Sequence, residues 1–130
     1  MRASGAARSD RGSAVVDFVL VTIIVVPLLL GIVQLALVLY VRNTLASAAS
    51  EGARYAATLG HGPADGSARA RQQVSGVLSG QYARGISAGL TSLDGAPAVE
   101  VTIRATVPAL GIAGPAVSLT VSGHAIREQR

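Results

Sequence analysis

The residues that could carry catalytic chemistry are few and widely separated in this chain. Among its 130 residues there are two histidines, His61 and His124, and no cysteine. No two carboxylates stand at a workable spacing, and no glycine-rich loop joins a strand to a helix. A catalytic site needs a nucleophile, a base and an oxyanion donor within mutual reach, and a metal site needs clustered donors. The sequence therefore predicts no enzyme, no metal site and no cofactor.

One short segment, Gly12 to Asp17 (GSAVVD), requires a chemical explanation, because the carboxylate of Asp17 directly precedes a long apolar stretch. A charged side chain costs up to about 3 kcal/mol at the centre of a bilayer, and buried charges are usually paired. In one interpretation Asp17 caps a helix N-terminus, where a carboxylate suits the dipole. In the other, a cut after Gly12 creates an amino terminus on Ser13, on the same helical face as Asp17.

The apolar stretch that follows is the longest feature of the chain. Phe18 to Val41 contains 24 residues without a charge. As a helix rising about 1.5 Å per residue it would measure roughly 36 Å, more than the ~30 Å hydrocarbon core of a bilayer. A buried core helix is disfavoured, because it would have to be enclosed on every face by the remaining small residues. The stretch predicts a membrane span.

A cleavable secretory signal is the competing interpretation of this stretch. Ala46, Ser47 and Ala48 fit a small-x-small cleavage site, but signal cores usually have only ~7–15 apolar residues. The alternatives to a processed membrane subunit are therefore a secreted binding module released after Ala48, or an unprocessed single-pass anchor.

The residues before the span predict its orientation. Met1 to Gly12 is short, polar and basic, and a basic leader beside a span tends to remain in the cytoplasm. We therefore expect a plasma-membrane protein with a cytoplasmic N-terminus and an extracytoplasmic C-terminal part. The net charge of +4 is spread along the chain, so no cationic stripe predicts nucleic-acid binding.

Three residues inside the span are informative. Pro27 lacks a backbone donor and predicts a kink over residues 23–26. Thr22 and Gln34 can hydrogen-bond either to a partner helix or to their own backbone.

Helix-favouring residues continue from Asn43 to about Thr58, and small side chains recur four apart there. Rows of this kind let another backbone approach closely, so they are either the seat of the protein's own sheet or a contact between subunits. On the same helix Glu51 and Arg54 are three apart and are predicted to pair. The two rows are Ala48, Gly52, Ala56 and Ala49, Ala53, Ala57.

The C-terminal part predicts a small head. Residues 60–66 are rich in glycine and proline and predict a loop in which His61 is solvated. An amphipathic helix is expected over 67–84, capped by Asp65 or Ser67.

After Gly85 the apolar period changes to two. It predicts strands over 86–93, 99–107 and 117–122, with turns at 94–97 and 108–115. These strands would form an antiparallel sheet with one face covered by the helices. His124 is expected on its surface.

Two motifs resemble a known family. Arg11 to Phe18 (RGSAVVDF), followed by an apolar helix with an internal proline, and Ala48 to Ala57 (AASEGARYAA) are similar to the TadE-like family, minor pseudopilins of the tight-adherence (Flp) pilus system. The resemblance implies that a prepilin peptidase cuts between Gly12 and Ser13. It also implies an acid–aromatic pair at the fifth and sixth mature positions, Asp17 and Phe18 here, with aspartate replacing the family's glutamate.

The expected architecture is therefore α+β, with a long pilin-like stem helix, a second amphipathic helix and a small antiparallel sheet. The expected parts are a leader over 1–12, a stem over 13–59 with its span at about 18–41, and a head over 60–130. The resemblance implies that the lipid bilayer, a prepilin peptidase and other pseudopilins or pilus-assembly subunits are the partners.

Overall fold

The fold is known from a computed structural model that describes residues 6–109 and 116–129. It confirms the predicted α+β class, with a long N-terminal helix, a second helix and a small antiparallel sheet. The helices are α1 (Ala6–Ala57) and α2 (Pro63–Val77), followed by a 3₁₀ turn (Gly80–Ala83), and the strands are β1 (Ile86–Leu93), β2 (Ala96–Val107) and β3 (Val117–Ile126).

The chain is divided into two compact units between Leu35 and Ala36. The first unit consists, in its described part, of α1 alone. Helix α1 begins at Ala6, within the predicted leader, whose first five residues lie outside the described part of the chain. Inside this unit the Thr22 hydroxyl donates to the backbone oxygen of Phe18 at 2.8 Å, so Thr22 bonds its own helix.

The second unit is the head, and its core includes the C-terminal part of α1. Apolar side chains from α1, α2 and the sheet are packed together there, and each large one contributes about 1.5–3 kcal/mol by leaving water. Fully buried are Leu45, Ile103, Val41, Val74, Val99, Val101 and Val107.

The sheet has the order β1-β2-β3 with both pairs antiparallel. Along β2 the odd-numbered residues from Val99 to Val107 turn toward the core and the even-numbered ones from Glu100 to Thr106 turn outward, as the alternation predicted. Asp94 and Gly95 both have positive φ, 50° and 82°, in the two-residue turn between β1 and β2. The turn is shorter than predicted, because Ala96 and Pro97 already belong to β2.

The predicted boundaries of the second helix were wrong at both ends. Helix α2 begins at Pro63, because a proline in the first helical turn has no N–H to leave unpaired. The Asp65 carboxylate accepts a hydrogen bond from the Gly62 N–H at 2.9 Å and stabilises this start. The helix ends at Val77, whose side chain is exposed, and Tyr82 is buried from the separate 3₁₀ turn instead.

One predicted connection falls largely outside the described residues. The turn expected over 108–115 includes residues 110–115, which the structure does not describe.

Candidate functional site

The candidate membrane span is the exposed apolar part of α1. From Phe18 to Leu35 no side chain is buried, and Phe18 and Ile24 are 71% and 68% exposed. These 18 residues would extend about 27 Å as a helix, close to the ~30 Å of a hydrocarbon core. Within residues 6–109 and 116–129, α1 is the one helix that is long and apolar enough to cross a membrane.

The last turn of the predicted span belongs to the head instead of the exposed stretch. Val41 is only 1% exposed, and Leu37 and Val38 pack against the same core. These apolar side chains contact the interior of the head. An apolar run in the sequence therefore does not by itself tell whether its side chains contact lipid or the protein's own core.

The predicted processing site lies on an exposed part of α1. Gly12 and Ser13 are both exposed, and a Cβ placed on Gly12 would have no heavy atom within 4 Å. Asp17 and Phe18 are exposed as well, and Asp17 forms no ion pair with any residue that the structure describes. Pairing of Asp17 with an amino terminus stays a prediction.

Pro27 lies inside α1, which continues as one helix on both sides of it. Because proline has no N–H, the carbonyl of Ile23 lacks its usual helical donor. The predicted kink stays a prediction.

The two small-residue rows of α1 lie inside the head. Ala48, Ala49, Ala53 and Ala56 are fully buried, Ala57 is 5% exposed and Gly52 is buried. All six residues are therefore buried within the protein's own head.

One row meets the second helix. A Cβ added to Gly52 would lie 2.6 Å from the carbonyl oxygen of Gly66 in α2 and 3.1 Å from the Cβ of Ala70. Real Cβ atoms do not approach oxygen so closely, so the two helices cross with their backbones in contact.

The other row meets the sheet. A Cβ added to Gly123 in β3 would collide with the backbone of Ala49 and Ser50. Sequence reasoning did not single out Gly123 or Gly66. A glycine inside a strand signals close backbone approach, but the predicted third strand ended at residue 122, one residue before Gly123. Gly66 stands four residues before Ala70, the same spacing of small residues that was recognised in α1.

Two predictions about polar side chains of the head were wrong. Glu51 pairs with Arg69 of α2 at 3.5 Å, not with Arg54. His61 is not simply solvated, because its Nδ1 lies 3.1 Å from the Thr58 hydroxyl and its ring centroid lies 4.3 Å from that of Tyr55.

The second histidine lies on the surface, as expected. Its Nε2 is 3.2 Å from the Glu100 carboxylate, directly across the β2–β3 ladder. In the described ranges no group of three or more metal-binding side chains comes together.

The described residues define a class of protein with a candidate membrane-spanning helix whose C-terminal part contributes to the core of a small α+β head. A comparison with protein-family models matches residues 12–54 to the family described as TadE-like protein. The matched segment begins at Gly12 and ends at Arg54, so it includes the first motif except Arg11 and the second motif as far as Arg54. The resemblance of this segment to TadE-like proteins is confirmed. Searches of curated proteins and of solved structures returned no match.

Proposed function

We propose that this protein is a membrane-anchored pseudopilin that takes part in assembling a tight-adherence pilus or a related secretion filament. The observation that carries the proposal is the family match over residues 12–54, which covers the processing motif, the exposed apolar helix and the start of the head. The protein acts by packing and not by catalysis.

The exposed apolar part of α1 is the surface that would meet lipid and neighbouring stems. Its side chains are apolar all round the helix, and a helix of that kind requires an apolar environment on every face. In a bilayer this environment is supplied by acyl chains and by the helices of other subunits.

Processing after Gly12 is part of the same proposal. The Gly12–Ser13 bond is exposed, and its hydrolysis by a prepilin peptidase would remove the basic leader and leave a charged amine on Ser13. Asp17, which lacks an ion-pair partner among the described residues, would then have a cation four residues away or on a neighbouring stem.

The packing of the head argues against release after Ala48. That cut would remove Val41 and Leu45, two of the largest fully buried side chains of the core. Losing the side chain of one large core residue typically costs 2–5 kcal/mol, and a whole domain is stable by only about 5–15 kcal/mol. A fragment beginning at Ala49 would not keep this fold.

The experiment that tests the proposal is N-terminal sequencing of the mature protein isolated from membranes of cells that express the full chain with a prepilin peptidase. The expected first residue is Ser13. A mature chain beginning at Ala49 would establish the secreted module, and a chain retaining Met1 would establish the unprocessed anchor.

A further inference from the structure

In the part of the chain that the structure describes, the sheet of the head has two open edges. Strands β1 and β3 are each paired there on one side only, with β2. Strand β1 (ISAGLTSL) has no charged residue and no proline, and β3 (VSLTVSGHAI) has His124 as its single titratable residue. Sheets of monomeric proteins usually guard their edges with charges, prolines or bulges. Both edges are therefore suited to pairing with another strand.

The ladder hydrogen bonds fix which backbone groups face each open edge. The Arg104 N–H donates to the Gly85 oxygen at 2.9 Å, so odd-numbered residues of β1 bond to β2 and even-numbered ones face outward. On the other side the Arg127 N–H donates to the Pro97 oxygen at 2.9 Å, so the even-numbered residues of β3 face outward. The outward-facing N–H and C=O groups therefore include those of Leu90 on one edge and those of His124 and Ile126 on the other.

Among the described residues of the head, Leu90 is the most exposed large apolar side chain. It lies opposite Val99 on the core side of the sheet, yet it is 65% exposed while Val99 is fully buried. On the other edge Ile126 is 59% exposed. An additional strand alongside β1 would cover Leu90 without disturbing the core.

The direction of α1 decides how two copies can pair. Gly123 of β3 lies against Ala49 and Ser50, and further along the Glu128 N–H donates to the Ala57 oxygen at 2.9 Å. Residue numbers rise together along both elements, so this part of α1 runs over the sheet in the same direction as β3.

A two-fold pairing of β1 with β1 would place the head parts of α1 in opposite directions. The axis of such an antiparallel pair is perpendicular to the sheet, so it would reverse residues 36–57 of α1 in the second copy. The proposed function requires stem helices that run in the same direction, and a two-fold pair does not supply them.

We infer that the β1 edge of one copy pairs in parallel with the β3 edge of a second copy of this chain. A sideways displacement across the sheet keeps every α1 in the same direction. Leu90 of β1 lies directly opposite Val99 of β2, and Val99 lies directly opposite Ala125 of β3. The sideways displacement therefore brings Leu90 of one copy beside Ala125 of the next. The inference rests on the proposed function, because that function requires parallel stems in one membrane.

The hydrogen-bonding pattern fits this register. In a parallel pair one residue bonds to the two residues that flank its opposite number. With Leu90 opposite Ala125, its N–H meets the His124 oxygen and its oxygen meets the Ile126 N–H, and all of these groups face outward. The two edges differ, so each added copy exposes a new β1 or β3 edge and the series does not close.

The test uses cysteine cross-linking, for which the natural chain supplies a clean background because it has no cysteine. Full-length Leu90→Cys and Ala125→Cys chains are co-expressed in membranes and treated with a short bifunctional thiol reagent. Neighbouring strands are about 4.8 Å apart, so we expect cross-linked dimers from the mixture and a ladder of higher oligomers when one chain carries both cysteines. Leu90→Cys alone should give no dimer, and neither should Thr106→Cys on the central strand mixed with Ala125→Cys.

A second pair of cysteines tests the backbone pairing itself. Ser92 and Arg127 both lie opposite Pro97 of β2, one on each side of it. The same parallel pairing would bring Ser92 of one copy beside Arg127 of the next, so a Ser92→Cys and Arg127→Cys pair reports on the pairing in chains whose residue 90 is changed. Leu90→Pro removes an outward N–H without breaking the bond to β2 and should abolish the cross-link with little change in melting temperature. Leu90→Ala keeps the N–H and should retain the cross-link.

The outcomes separate this inference from the proposed function. Membrane-inserted chains that begin at Ser13 and assemble, but give no 90–125 cross-link, would overturn the edge pairing alone. Efficient self-cross-linking of Leu90→Cys would replace it by the two-fold pair. Chains that stay unprocessed and monomeric in the membrane would overturn both.

Discussion

Gly52 in α1 and Gly66 in α2 lie so close that a Cβ added to either one would fall 2.6–2.7 Å from the carbonyl oxygen of the other. Both backbones are therefore in contact at the crossing, and neither helix can accept a side chain there without moving. The small-residue row that includes Gly52 is thus a requirement of the head's own packing.

This crossing predicts the effect of enlarging Gly52. Gly52→Leu should lower the free energy of unfolding of the head by at least the 1–3 kcal/mol typical of overpacking, because the helices must separate. Membrane insertion should be unchanged, since the span is untouched. The matched control is Gly76→Leu, at an exposed position in α2 with open space around its Cβ site. Thermal melting that is the same for both variants would contradict the close crossing.

The contact of the sheet with α1 makes a similar prediction for Gly123. Gly123→Ala should destabilise the head by roughly 1–3 kcal/mol, because the new methyl group would meet the backbone of Ala49 and Ser50. Gly89→Ala, in β1 with nothing within 4 Å of its Cβ site, serves as the control. Chemical denaturation of the two variants should rank Gly123→Ala clearly lower, and equal midpoints would refute the prediction.

Processing predicts a clear phenotype for Gly12. Gly12→Leu should block cleavage by a prepilin peptidase, because the proposed cut follows this residue and leucine adds a branched side chain at the scissile position. The mutant chain should keep its leader and migrate more slowly on gels than the processed protein. Gly31→Leu, in the same helix with equally open surroundings, should be processed normally. A normal mobility shift in Gly12→Leu would count against the proposed cut.

The ion pair between the helices predicts a small energetic coupling. The Glu51 and Arg69 side chains are 45% and 48% exposed, and a pair of that kind is worth about 0–1 kcal/mol. A double-mutant cycle with Glu51→Gln and Arg69→Gln should give a coupling in this range that falls as salt is added. The same cycle with Glu51→Gln and Arg54→Gln should give no coupling energy. A larger coupling of Glu51 to Arg54 than to Arg69 would contradict the observed pair and support the pair that the sequence predicted.

Much of the fold is predictable because it follows from local patterns. The uncharged run after Asp17 predicts the apolar helix, and the alternation from Val99 to Val107 predicts the central strand. Periods of 3.6 and 2 are set by backbone geometry, so they can be read without tertiary information. The proposed processing motif is equally local, since it depends on adjacent residues.

The boundaries and partners were less predictable, because they depend on what comes near in space. Pro63 begins a helix in a stretch that composition assigned to a loop, and Glu51 pairs with Arg69 because α2 crosses α1 at that level. His61 meets Tyr55 only after the chain has turned back at the end of α1.

The sequence by itself determined that this protein has a long apolar helix, a segment from Gly12 onward that resembles TadE-like proteins and a small sheet, because each depends on consecutive residues. Only the tertiary structure decided that Val41 belongs to the head's core, that the rows around Gly52 serve the protein's own packing and that Leu90 is left uncovered. The physical reason is that burial and close approach are properties of surfaces, and two surfaces meet only when the chain has folded.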